Sequence, residues 1–240
     1  MYKTILKIVA VLILGALGAL FFDVFALPYL LSNSYFERFQ FVKDFKQGKI
    51  IINPKEQVYI QENTALESAV LKVEKSVVAI QSQTESGYFT ASALIATSDG
   101  SVITLANLAP SASNSSLFIN GEKTSFKVLK RDSKNNLVLL KIDKSNLETV
   151  GFADFNNIKL GQRVFLVSVD STKAGSFSVN EGIIKTFDQN SIKTNMPEKY
   201  IASGSPLFNI YGELVGLNYI DQDGKVSAIP ISKIKDFLGI

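Results

Sequence analysis

Histidine is absent from all 240 residues, and so is cysteine. Without imidazole, no side chain whose ordinary pKa lies near neutrality is at hand as a general base. Without thiols, disulfides and thiolate nucleophiles are excluded, and with both ligand types missing neither a transition-metal site nor any other cofactor is expected. The missing cysteine leaves the redox compartment open, since many exported proteins lack it. A strong excess of one charge is lacking as well: 25 basic against 22 acidic residues leave +3, too little for an electrostatic hold on nucleic acid. No internal repeat and no low-complexity tract occurs. What is present is a hydrophobic content of 46% with 10% aromatics, enough for a folded chain with two small domains or one two-part domain around a well-buried interior.

A basic tail precedes the long apolar stretch. Lys3 and Lys7 are followed by an uncharged run over residues 8–22, and after Asp23 the apolar character resumes through Val24, Phe25, Ala26 and Leu27. At about 1.5 Å per residue the run covers about 22 Å, short of a ~30 Å hydrocarbon core unless Ile5 and Leu6 extend it and Lys7 reaches back to the interface. Charge followed by apolar residues fits a signal anchor or a cleavable signal peptide, for which Val24-Phe25-Ala26 offers the small residue cleavage needs. The expectation adopted is an uncleaved transmembrane helix within residues 1–31. Arg38, Lys43, Lys46 and Lys49 follow the run, so the Lys/Arg count does not set the orientation.

Residues 32–63 read as a connector. The partial helical period of residues 35–42 predicts a membrane-proximal helix ending near Gly48, and Pro54 makes residues 50–54 extended. Thr64-Ala65-Leu66-Glu67 has capping-box spacing, with Leu66, Ala69, Val70 and Val73 on one helical face. From Ser76 the pattern turns to strands. They are predicted at residues 76–80, at 93–95 and 102–104 around the Asp99-Gly100 turn, and at 126–129, 137–142, 163–169, 182–187, 214–219 and 226–229. A helix over residues 232–238 follows. Many short strands separated by turn residues predict an all-β body, a sandwich or a pair of barrels.

The order of several segments carries a resemblance. The hairpin Ala91-Ser92-Ala93-Leu94-Ile95-Ala96-Thr97-Ser98-Asp99-Gly100, the stretch Thr104-Leu105-Ala106-Asn107-Leu108 and the strand Asn136-Leu137-Val138-Leu139-Leu140-Lys141-Ile142 come first. Leu160-Gly161-Gln162-Arg163-Val164, Gly182-Ile183-Ile184, Ala202-Ser203-Gly204-Ser205-Pro206-Leu207 and Ala228-Ile229-Pro230-Ile231 follow. In this order they are similar to the HtrA/Deg family of trypsin-like serine peptidases, over roughly residue 65 to the end and without the family's PDZ module. The resemblance implies an all-β, trypsin-like double β-barrel over residues 64–240, divided at about 64–150 and 151–240, with the active site in the cleft between the barrels. Family members often assemble as trimers, so a homo-oligomer is an option the residues leave open. The family context also implies a bacterial envelope protein, single-pass in the cytoplasmic membrane with its carboxy-terminal body extracytoplasmic. Asn114-Ser115-Ser116, a glycosylation sequon by pattern, is then incidental.

Aligned residue by residue, the resemblance puts Ser203 at the nucleophile, Asn107 where the family has its catalytic histidine and Asn136 where it has the aspartate. Ile201, Ala202 and Ser203 fall on the oxyanion-hole segment, with Ile201 replacing a glycine. An amide can donate and accept hydrogen bonds but has no proton affinity useful near neutral pH. The β-branched Ile201 restricts the backbone that must present the hole's donors. The expectation is a membrane-anchored pseudopeptidase that has kept the fold and lost turnover, and that binds an extended peptide or scaffolds an envelope protein. The alternative is an active serine endopeptidase in which Ser203 uses a non-histidine base. Lys199 is the nearest in sequence and Asp132 the nearest spare acid, although both read more simply as loop and turn charges.

Overall fold

The computed structural model describes residues 62–85 and 87–240, together with residue 2 and residues 14–15, 17–26 and 28–29 of the amino-terminal part. The chain divides into two compact units, Met1–Tyr59 and Ile60–Ile240. In the first, Phe22–Ala26 is a short π-helical turn, and the ring of Phe21 just before it lies 5.4 Å from that of Phe25. Among the described residues no helix is long and apolar enough to cross a membrane. Much of the predicted anchor lies outside the described residues, as do the helix expected at 35–42 and the extended segment at 50–54.

The second unit begins with helix α1, Glu62–Val73. It starts two residues before the Thr64–Glu67 box and buries Ala69 and Val73. Seven strands follow: β1 Val77–Thr84, β2 Gly87–Thr97, β3 Ser101–Leu105, β4 Ser115–Ile119, β5 Glu122–Thr124, β6 Lys127–Asp132 and β7 Leu137–Lys141. They form one antiparallel sheet in the order β5-β4-β1-β2-β3-β7-β6. The two ends of this sheet do not pair, so the first half is an open half-barrel where a closed barrel was expected. β5 is only three residues long, and β6 is exposed along almost its whole length, so neither end strand carries a buried face with which to close the ring.

The second half closes fully. β8 Arg163–Val169, β9 Phe177–Phe187, β10 Ile192–Pro197, β11 Pro206–Asn209, β12 Leu214–Ile220 and β13 Lys225–Pro230 run round a barrel in the order β10-β13-β12-β11-β8-β9. Its interior holds Phe165 and Phe208, both almost fully buried, with ring centroids 5.4 Å apart. Helix α2, Ile231–Leu238, buries Ile231, Ile234 and Phe237 on one face and ends at Gly239 in the left-handed conformation, φ +83°. That cap is the ordinary glycine stop of a helix.

One small residue joins the halves. Ser92, fully buried in β2, receives the backbone N–H of Val169 on its hydroxyl at 2.9 Å, and its own N–H donates to the Ser203 carbonyl at 3.2 Å. β2 is thereby tied both to the end of β8 and to the segment that carries Ser203.

Candidate functional site

β3 and β7 pair antiparallel with Leu105 opposite Leu137, so the residues just beyond this pair, at 106–107 on one side and 136 on the other, are brought together by register alone. Past Leu105 the chain makes a 3-10 turn, Ala106–Leu108, that buries Ala106 and Leu108 and leaves Asn107 facing out. Asn136 sits at φ +54°, a left-handed conformation that Asn tolerates better than most residues. Its carbonyl accepts from Ala106 N–H at 2.9 Å. The two residues then bond reciprocally: the Asn107 backbone N–H donates to Asn136 Oδ1 at 3.0 Å, and Asn136 Nδ2 donates to Asn107 Oδ1 at 3.2 Å.

The third contact comes from the closed barrel. Asn107 Nδ2 donates to the Tyr200 hydroxyl at 3.0 Å, and the Tyr200 ring leans on Phe89 of β2 with centroids 5.2 Å apart. Tyr200 opens a 3-10 turn, Tyr200–Ala202, directly before Ser203. Within this turn Ala202 N–H donates to the Lys199 carbonyl and Ser203 N–H to the Tyr200 carbonyl, each at 2.9 Å. Two backbone donors of the segment expected to form an oxyanion hole are therefore already engaged by its own carbonyls.

Ser203 is 1% exposed, and its Oγ is buried without a hydrogen-bond partner. The segment after it is held rigidly. Gly204 lies at φ +79°, and a Cβ there would stand 2.3 Å from the Ser92 carbonyl, so only glycine fits. Gly204 N–H donates to the Asn218 carbonyl at 2.8 Å, and Asn218 Nδ2 to Ser205 Oγ at 3.0 Å.

Asn107, Asn136 and Tyr200 thus form one hydrogen-bonded cluster. Ser203 lies three residues beyond Tyr200, but its hydroxyl bonds to none of them. Tyr200 and Phe89 were given no role from the sequence; the signals beside Tyr200 were Ile201 in place of glycine and the charge of Lys199. Lys199 Nζ makes no bond to Ser203 Oγ. Asp132 serves a turn: its carboxylate accepts from Lys134 N–H, Asn135 N–H and Asn135 Nδ2 at 2.9, 3.0 and 2.6 Å. The Asn135 side chain first, and its backbone second, hold the Asp132 carboxyl below its ordinary pKa. Among the described residues no group of acidic side chains is arranged to hold a metal ion.

A family model described as the trypsin-like peptidase domain matches residues 76–217. The chain belongs to that family. Its curated relatives are of the HtrA/Deg type. A probable periplasmic serine endoprotease DegP-like from Halomonas elongata is 29% identical over 136 residues, covering 53% of this chain and 28% of the relative. Serine protease HTRA1A of Danio rerio is 27% identical over 185 residues, covering 71% and 38%. The chain therefore spans well under half the length of these relatives. In fold it is similar to the serine endoprotease from Yersinia pestis, with a TM-score of 0.65 and 23% identity over 72% of this chain and 65% of that one. The matched region of this trypsin-like chain begins one residue before β1 and ends within β12.

Proposed function

We propose that this trypsin-like domain has lost turnover and acts by holding a polypeptide, either an extended peptide or another envelope protein, with its amino-terminal apolar segment anchoring it in the bacterial cytoplasmic membrane and its body outside the cytoplasm. That the Halomonas elongata relative is a probable periplasmic protein supports that side of the membrane, and the signal-like order of charge and apolar run supports the anchor.

One observation carries the reading: Ser203 Oγ has no acceptor within reach. A serine hydroxyl becomes a nucleophile only when a neighbouring base takes its proton. The residues at the two partner positions are amides bonded to each other and to Tyr200, and the chain contains no histidine. Loss of the base in such a triad costs about two-million-fold in kcat, and an engaged oxyanion donor adds a further ~100-fold or more. The reading with Lys199 as base loses its support with the missing contact to Ser203.

The test is a fluorophosphonate probe at neutral pH on the full chain. No labelling at Ser203 is expected over hours, alongside measurable capture of unfolded polypeptide. Rapid labelling abolished by Ser203→Ala would show an active hydrolase.

A further inference from the structure

Two β-turns of the closed barrel carry apolar residues at their tips, where turn chemistry ordinarily calls for polar ones. Lys159-Leu160-Gly161-Gln162 leads into β8. Gln162 N–H donates to the Lys159 carbonyl at 3.2 Å and Lys159 N–H to Gln162 Oε1 at 3.1 Å, and Gly161 supplies the positive φ, +75°, that the third position of such a turn requires. Asn209-Ile210-Tyr211-Gly212 joins β11 to β12, with Gly212 N–H donating to the Asn209 carbonyl at 2.9 Å and Tyr211 N–H to Asn209 Oδ1 at 3.0 Å. Both turns are closed by their own hydrogen bonds, so the tips are fixed in place, yet Leu160 is 66% exposed and Tyr211 65%.

The two tips share one face. Leu160, Ile210 and Tyr211 line an open cavity of about 510 Å³ together with Lys159 and Arg163. Scattered apolar residues on a surface need no explanation, but tips from turns far apart in the chain that meet at one place do. The unmatched charge beside them is positive. Arg163 is matched by Glu181 at 2.9 Å, whereas Lys159 is exposed and among the described residues no carboxylate lines the cavity. Helix α1 adds Lys72, also exposed, whose Nζ donates to the Tyr211 carbonyl at 2.9 Å. Glu213, just past the second turn, is partly covered and accepts from Asn209 Nδ2 at 2.8 Å.

A tyrosine and a leucine held out on fixed turns with lysines at their side match the headgroup layer of an anionic bilayer, where the rings and aliphatic chains enter the interface and the ammonium groups stay at the phosphates. A second copy docking through the same face would set Lys72 and Lys159 against their own counterparts. We propose that this face rests on anionic phospholipid, with Leu160 and Tyr211 in the interface and Lys72 and Lys159 on the phosphates. The proposal rests on the anchoring reading and adds to it the face that the body turns to the bilayer.

The chain contains no tryptophan, so Leu160→Trp gives it a single indole at this face, and Tyr88→Trp a single indole at the start of β2, an exposed site that lines no part of the cavity. Each full-length variant is mixed with vesicles of brominated phosphatidylcholine containing about 30% phosphatidylglycerol, and quenching is read on the protein that floats with them. The Leu160→Trp indole is expected to be quenched at least ~2-fold more than that of Tyr88→Trp. The difference is expected to vanish when phosphatidylglycerol is omitted and when Lys159→Glu is added. Equal quenching of the two indoles, or a difference unmoved by Lys159→Glu, overturns the proposal. Emission of Leu160→Trp that shifts to the blue with rising protein concentration in detergent, without vesicles, assigns the face to a second copy and overturns it too. A chain that floats with the vesicles but shows equal quenching sinks this face and leaves the anchor standing. A chain that fails to float sinks the anchor as well.

Discussion

Ser203 poses the sharpest question at the scale of one residue, because a buried hydroxyl with no partner is a liability that an active enzyme tolerates for its chemistry. Here the base that would redeem it is absent, and Asn107 spends its amide on Asn136 and Tyr200. An unsatisfied buried hydroxyl costs about 1–3 kcal/mol. Ser203→Ala removes the hydroxyl and keeps the Cβ, so it is expected to stabilise the protein by about 1 kcal/mol, read as a higher urea midpoint, while leaving polypeptide capture unchanged. A lower midpoint would mean that the hydroxyl has a partner and that the site is still wired for its old chemistry. The sequence showed the two asparagines and the serine, because each is a single letter at a place marked by its neighbours. It did not show Tyr200 over Asn107, since that contact spans 93 residues and depends on how the turn before Ser203 is wound.

At the scale of elements, the loop that presents Asn107 is held by its carbonyls. Arg131 of β6 donates through Nη1 to the Ala106 carbonyl at 2.7 Å and through Nη2 to that of Ala109, while Ser82 Oγ of β1 donates to the Leu108 carbonyl at 2.6 Å. A planar guanidinium reaches two carbonyls at once, which a lysine ammonium on a flexible stem does not reproduce. Arg131→Ala is therefore expected to lower stability by about 2 kcal/mol in urea unfolding, with Arg131→Lys recovering less than half of it; equal stability of all three proteins would refute the clamp. Legibility varied from strand to strand for physical reasons. β7, β8 and β12 announce themselves as apolar runs. β10 escaped notice because its buried face includes Thr194, a polar residue made compatible with the core by donating to the Val226 carbonyl at 2.9 Å. β4 begins with two serines, of which Ser115 is buried against Ser82. The open first half was equally hidden: only residues 125–126 separate β5 from β6, yet the two strands lie at opposite ends of the sheet, and nothing in the local sequence marks that they do not pair.

For the molecule as a whole, the missing histidine governs how stability responds to pH. Apart from the terminal amine, no group of ordinary pKa titrates between about pH 5 and 8, so the urea midpoint of the purified chain is expected to be flat across that range. Acid is different. Asp99 is lowered to about 2, chiefly by the Lys141 side-chain hydrogen bond and next by Thr97; Lys141 Nζ stands 2.7 Å from Asp99 Oδ2. Asp132 is lowered mainly by the Asn135 side chain, and Asp188 by the backbone N–H groups of Asn190 and Ser191. Each of these carboxyls holds its proton less tightly folded than unfolded, where the value is about 3.9. The unfolded chain then binds more protons in acid, so these contributions are complete above about pH 4 and disappear as pH falls towards 2. Asp99 and Asp188 are solvent-exposed and Asp132 is only partly covered, which makes the fall shallow and sensitive to salt. Midpoints measured from pH 2 to 8 are expected to show a plateau and then a decline beginning near pH 4. Asp99→Asn should lower the plateau slightly and flatten the acid limb, because the substituted chain has one fewer group to protonate. A midpoint that moved between pH 5 and 8 would require a strongly displaced carboxyl or lysine in the interior, and among the described residues every charged side chain lies at the surface or only partly covered.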